Sequence, residues 1–146
     1  MTDNLTLLYT RRYFHEVTHA EAQKAALQTQ PFGVVLVELT EIPELNQRVG
    51  YAAGDQAIQT AARMVQSVAV RHDGTGGRYS GRRLGLIIPG ADEETTELIA
   101  AEISADFKDG PEAHIATATW RPHDTGDAVI DRARTFLSHP QTPESQ

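Results

Sequence analysis

Cysteine is absent from this chain, which excludes a disulfide framework and any thiolate metal site. Aromatic residues make up only 6% of the sequence, with a single tryptophan. The longest apolar runs extend over a few residues, far short of the roughly 20 needed to cross a bilayer, and nothing resembles a signal peptide. No membrane partner is expected, and a cytoplasmic location is the default. Basic charge is scarce as well: 13 Lys and Arg stand against 20 Asp and Glu, a net charge of −7. General nucleic-acid binding needs a basic footprint that this balance lacks. What remains, 40% apolar and 23% charged residues over 146 positions, suits one ordinary domain able to bury a core.

The arginines nevertheless cluster, at Arg11-Arg12 and at Arg71, Arg78, Arg82 and Arg83. Such a group in an acidic protein can hold phosphates or a partner's carboxylates, or form a solvated surface.

Periodicity predicts a helix from Arg11 to about Gln28, with Phe14, Val17, Ala22 and Ala25 on one face and Glu21 interrupting it. Pro31 breaks that helix, and Phe32 to Leu39 reads as a buried strand. A short helix over Glu41–Arg48 and a longer one over Ala53–Val70 follow, the latter burying Ala57, Ile58, Ala61, Ala62 and Val65. Residues 72–77 carry three glycines in four positions and are expected to be loop. Arg78-Tyr79 and Leu84–Ile88 predict the strands of a β-hairpin around Ser80–Arg83. A helix over Glu93–Asp106, a strand over His114–Trp120 and a helix over Asp127–Ser138 complete the pattern. Residues 1–139 thus form one domain, and 140–146 are expected to be a flexible C-terminal tail. The interleaving predicts an α/β (α+β sandwich) fold with a mixed central sheet.

The segment Glu38–Asp55 follows the apolar run Val34-Val35-Leu36-Val37. It resembles the substrate loop of the GGDEF, or diguanylate cyclase, family, which reads D-x-D-x-F-K-x-x-N-D-x-x-G-H-x-x-G-D. Asn46, Gly50, Gly54 and Asp55 fall at the matching spacings. Asp3–Phe14 is similar to the family's D-x-L-T-G-L-x-N-R-R-x-F opening, departing at Leu7, where glycine is usual, and at Thr10, where asparagine is usual. Arg78-Tyr79 stands where the family has R-Y before its signature, and Leu86–Gly90 resembles the strand and P-G after it. The resemblance covers Asp3 to about Leu137 and implies a nucleotide-cyclase-like fold, with about five strands flanked by helices.

The resemblance implies that Asn46 and Asp55 contact a guanine base, whose N1–H and N2–H₂ donors suit a carboxylate and whose edge suits an amide. From local pattern alone Asn46 can equally cap a helix or turn, and Asp55 can be an N-cap after Gly54. The family's signature acids are replaced by Ser80-Gly81-Arg82-Arg83-Leu84, its first loop acid by Glu38 and its second by Thr40. Glu38 is the remaining metal-ligand candidate, and only a weak one. Arg82 and Arg83 would repel Mg²⁺, so no catalytic residue is expected and cofactors are not anticipated; Mg²⁺ enters only if residual nucleotide-site function persists. The same two cations are candidates to hold a nucleotide's phosphates without catalysis. Asp131 and Ala133 match the family's last-helix A-D-x-A, while the lysine position downstream falls at Ser138. Arg71, with Asp73, stands near the family's R-x-x-D product-inhibition site, though with altered spacing.

His15 and His19 have helical i, i+4 spacing that can chelate a metal but no evident third ligand; His72, His114, His123 and His139 form no motif, and Trp120 reads as core. The leading expectation is a catalytically inactive GGDEF-like regulatory domain of cyclic di-GMP signalling. It would bind GTP, cyclic di-GMP or another guanine nucleotide, and a protein partner or a second copy. The alternatives are a weakly active nucleotidyl cyclase using Glu38 and a purely structural dimerisation domain. Asp3 lies so close to Met1 that no sensory domain is expected before the fold.

Overall fold

A computed structural model describes residues 2–138. Its centre is β1 (Phe32–Leu39), whose residues are buried except for Glu38. A strand covered on both faces has no reason to alternate apolar with polar residues, which explains the run Phe-Gly-Val-Val-Leu-Val. Phe32, Val34 and Leu36 pack on one side with Phe14, Ala22 and Ala25 of α1 (Arg11–Gln28) and with Val129, Ile130, Ala133 and Leu137 of α5 (Gly126–Ser138). Val35, Val37 and Leu39 pack on the other side. There they meet Ile58, Ala61 and Val65 of α3 (Tyr51–Arg71) and Ile99 and Ile103 of α4 (Glu93–Asp106). The result is a three-layer sandwich with a separate apolar core on each face of the sheet.

β2 (Thr75–Ser80), β3 (Arg83–Pro89) and β4 (Ala113–Thr119) complete the sheet in the order β2-β3-β1-β4. Every one of these pairings is antiparallel. The expected mixed sheet of about five strands is corrected to four antiparallel strands plus one parallel bridge, Tyr9 to Gly77. Among the described residues the first segment, itself closed by a Thr2–Tyr9 bridge, adds only that bridge to the sheet because the chain is coiled just before it. Asp3 N–H bonds Leu8 C=O at 2.6 Å, and Leu7 takes φ +64°.

The strand β2 also begins earlier than its glycines suggest. Ideal Cβ atoms at Gly77 and Gly85 would lie 2.5 Å from the ring of Phe14, so both glycines leave room for that fully buried aromatic. The glycines therefore serve close packing within a hairpin rather than a loop. The hairpin turns through Gly81-Arg82, and a bulge between Arg78 and Ser80 tucks Tyr79 into the core. The other elements lie within a residue or two of expectation, including α2 (Ile42–Arg48) and a buried Trp120. On α4, Leu98, Ala101 and Ala105 are exposed, and the inner face is Thr96, Ile99, Ala100 and Ile103. His139 and the tail 140–146 lie outside the described residues.

Candidate functional site

The C-terminal end of β1 brings Glu38 to the rim of the sheet, on the α1/α5 face. Cross-strand register sets its neighbours: Arg83 on β3 on one side and His114 on β4 on the other. Arg83 Nε donates to Glu38 Oε2 at 2.7 Å, with the two side chains 27% and 14% exposed. A charge-assisted bond between largely enclosed partners is a stronger link than a surface ion pair. The sequence places Glu38 and Arg83 in separate motifs, and the β1–β3 register joins them. His114 had no motif to mark it, and only the register shows that it flanks Glu38.

Arg82 sits at the hairpin tip, exposed, and its carbonyl accepts from Leu39 N–H at 2.9 Å. Its guanidinium has no side-chain partner among the described residues. Arg78 steadies the hairpin from behind: it donates to Gly81 C=O at 2.8 Å and to both Asp3 carboxylate oxygens at 3.0 and 3.1 Å. Burial pushes the Asp3 carboxyl up, but hydrogen bonds from Thr6 and the charge of Arg78 outweigh it and hold that carboxyl below its usual range.

Beyond Glu38 the chain turns through Thr40, whose N–H and hydroxyl both point to Glu112 C=O, and Glu41. A hydrogen bond with the neighbouring Glu112 carboxyl raises the pKa of Glu41 above its ordinary value. Asn46 lies inside α2, and Asp55 is the fifth residue of α3, whose N-cap is Gly50 at φ +115°. Neither residue is a helix cap, which removes the capping readings of both. Asn46 Oδ1 is enclosed without a hydrogen-bond partner among the described residues, seated where a Cβ on Gly54 would come within 2.1 Å. Gly54 is thus the surface on which the Asn46 amide rests, and Asp55, exposed, follows it directly.

A Mg²⁺ ion needs several oxygen ligands in near-octahedral array. Here the rim carboxylate is bonded to Arg83, the next cation, Arg82, stands at the adjoining hairpin tip, and no group of three metal-ligating side chains occurs among the described residues. These residues do not fit the ion.

Arg71 and Asp73 are not brought together as a free pair. Arg71 bonds Asp106 at 3.1 Å and Glu102 at 3.4 Å on α4, while Asp73 is an exposed turn residue at φ +54°. His72 Nε2 lies 2.9 Å from Glu102, and this bond, with the Arg71 charge, brings the Glu102 carboxyl below its ordinary value against opposing burial. His15 faces Asp127 at 3.2 Å and stacks on Tyr79, while His19 is exposed, so the two histidines do not form a metal pair.

Comparison with known proteins identifies the fold and the family. The family model "Diguanylate cyclase, GGDEF domain" matches residues 1–141. A probable diguanylate cyclase, DgcT of Escherichia coli strain K12, is 28% identical over 115 residues, 75% of this chain and 25% of that protein. A diguanylate cyclase of Vibrio cholerae is 26% identical over 110 residues, 75% of this chain and 34% of that protein. The chain thus spans a quarter to a third of the length of these relatives. Among solved structures, the GGDEF domain of DgcB from Caulobacter crescentus in complex with c-di-GMP matches with a TM-score of 0.90 at 20% identity, covering 94% of this chain and 85% of that one. The diguanylate cyclase SiaD of Pseudomonas aeruginosa, in complex with its activator SiaC, matches with a TM-score of 0.88 at 19% identity, covering 94% and 56%. With a family model that matches nearly its whole length, the chain belongs to the diguanylate cyclase GGDEF domain family.

Proposed function

We propose that this is a non-catalytic GGDEF domain, a regulatory module of cyclic di-GMP signalling that binds a guanine nucleotide without turning it over. The observation that carries this reading is the 2.7 Å bond between Arg83 and Glu38. The guanidinium meets the carboxylate's charge at the position where a metal would have to act. A divalent cation would need to displace Arg83 and then sit beside Arg82, against two positive charges.

The base-reading half supports binding. Asn46 and Asp55 have no capping duty in their helices. The Asp55 carboxylate suits the guanine N1–H and N2–H₂ donors, and the Asn46 amide nitrogen suits an acceptor on the same base. Arg82, exposed at the hairpin tip, supplies positive charge for phosphates, as a fixed counter-ion in place of a metal. Relatives solved with c-di-GMP or with an activator protein indicate the kinds of partner that this domain would meet.

Thermal melting with GTP and with cyclic di-GMP, each with and without Mg²⁺, tests the reading. A ligand that binds only the folded state raises Tm, and at about 100 times Kd it stabilises by about 2.7 kcal/mol. GTP is expected to raise Tm in metal-free buffer, and Asn46→Ala or Asp55→Ala to abolish the shift. A shift with cyclic di-GMP alone, lost in Arg71→Ala, would replace this reading with an effector site. Formation of cyclic di-GMP that depends on Glu38 would replace it with a weakly active cyclase. Absence of any shift would leave a protein-interaction domain.

A further inference from the structure

β4 is an edge strand, and its outer side faces a groove. Trp120 N–H bonds Phe32 C=O at 2.9 Å, and Thr40 N–H bonds Glu112 C=O at 3.1 Å. With the β1–β4 register, these bonds assign the even-numbered residues from Glu112 to Trp120 to exchange with β1. The N–H and C=O groups of Ala113, Ile115, Thr117 and Thr119 therefore point outward, and β4 pairs with no strand but β1 among the described residues. Natural sheets blunt such an edge with lysine, proline or a bulge. None of these four residues is charged or a proline, and the register runs unbroken from Ala113 to Thr119.

The groove along this edge has a volume of about 460 Å³. Glu93 and Glu97 of α4 wall it on one face of the sheet, Arg132 and Phe136 of α5 on the other, with Trp120 at one end. Asp124 neutralises Arg132 at 2.5 Å, which leaves Arg121 as the one other cation lining the groove against Glu93 and Glu97, a net negative balance. Glu97 is held against the strand by the Thr117 hydroxyl.

We infer that the β4 edge docks an extended basic segment of a partner protein, which adds as a further antiparallel or parallel strand. Its lysine or arginine side chains face Glu93 and Glu97, and the alternate, apolar side chains face Phe136 and Trp120. Charge selects this occupant over two others. A second copy pairing antiparallel about a two-fold axis keeps α4 on the same face, so its glutamates meet Glu93 and Glu97 in a protein of net charge −7. The chain's own residues 139–146 contain no lysine or arginine and include Pro140 and Pro143, which lack the N–H that a ladder uses.

The test uses the full chain and a synthetic peptide of about eight residues alternating lysine and valine, near the usual strand length, with a glutamate–valine peptide as control. Trp120, the only tryptophan, reports by its fluorescence. Saturable binding of the lysine–valine peptide alone is expected, with slowed amide exchange at Ile115, Thr117 and Thr119. Thr117→Pro removes one outward N–H and leaves the β1 ladder intact; Glu93→Lys with Glu97→Lys reverses the wall at two exposed sites. Each is expected to weaken binding by about tenfold or more. The double lysine variant keeps the test decisive if Thr117→Pro does not fold. Equal binding by the glutamate–valine peptide, insensitivity to the double variant, or β4 protection that arises from self-association without peptide would overturn the proposal.

Discussion

Leu7 occupies left-handed backbone at φ +64° with its side chain 75% exposed, so it bears a conformational cost with little burial in return. The family's glycine at this position has a physical reason, since glycine adopts that region freely. Leu7→Gly is expected to stabilise the domain by about 1 kcal/mol, read as a shifted midpoint in urea unfolding at unchanged slope. At the site, Arg83→Ala leaves Glu38, only 14% exposed, without its cation and is expected to destabilise by about 1–3 kcal/mol. A double-mutant cycle with Glu38→Ala would then show strong non-additivity, and additive losses would mean that the pair is not coupled. The resemblance to the family's loop marked Glu38, Asn46 and Asp55 as candidates in the sequence. It could not reveal that Glu38 is bonded to Arg83 or flanked by His114, because both facts depend on strand register.

Among the elements, the helices were legible because their apolar spacing and their proline and glycine boundaries agree. The start of β2 was not, because glycine marks a loop by propensity and a close approach by packing, and only the position of Phe14 decides between them. Gly85→Ala places a Cβ 2.5 Å from Phe14 Cζ and is expected to cost about 1–3 kcal/mol through overpacking, measurable in the same unfolding assay. At the end of α1, Thr29 stands at φ +52° as the residue that closes the helix. Thr29→Gly is expected to stabilise by about 1 kcal/mol, since a β-branched side chain resists that conformation. The five-strand expectation failed at an element boundary too, where the turn through Leu7 limits the first segment to one bridge to the sheet, Tyr9 to Gly77, among the described residues.

Across the whole molecule, two carboxylates tie distant parts together: Asp3 joins the N-terminal turn to β2, and Glu102 joins α4 to the end of α3. Both have pKa values lowered by folding, so the folded state holds fewer protons on them than the unfolded chain does. Their stabilisation is fully present above the unfolded values near pH 4 and is lost as pH falls through the lower, folded values. Stability is therefore expected to decline on acidification below about pH 4, and Arg78→Gln to flatten part of that decline, measured as Tm against pH. The three-layer architecture was legible from the alternation of helices and strands, and the doubly covered β1 from its unbroken apolar run. The acidic groove along β4 was not, because its walls come from α4 and α5, which meet only in the folded sheet.

Calorimetric titration of GTP into the protein, in metal-chelating buffer and again with Mg²⁺, addresses the central claim that Arg82 and Arg83 stand where a metal would act. The account predicts saturable binding without metal and an affinity that added Mg²⁺ does not improve. Binding that appears only with Mg²⁺, and disappears in Glu38→Ala, would contradict it.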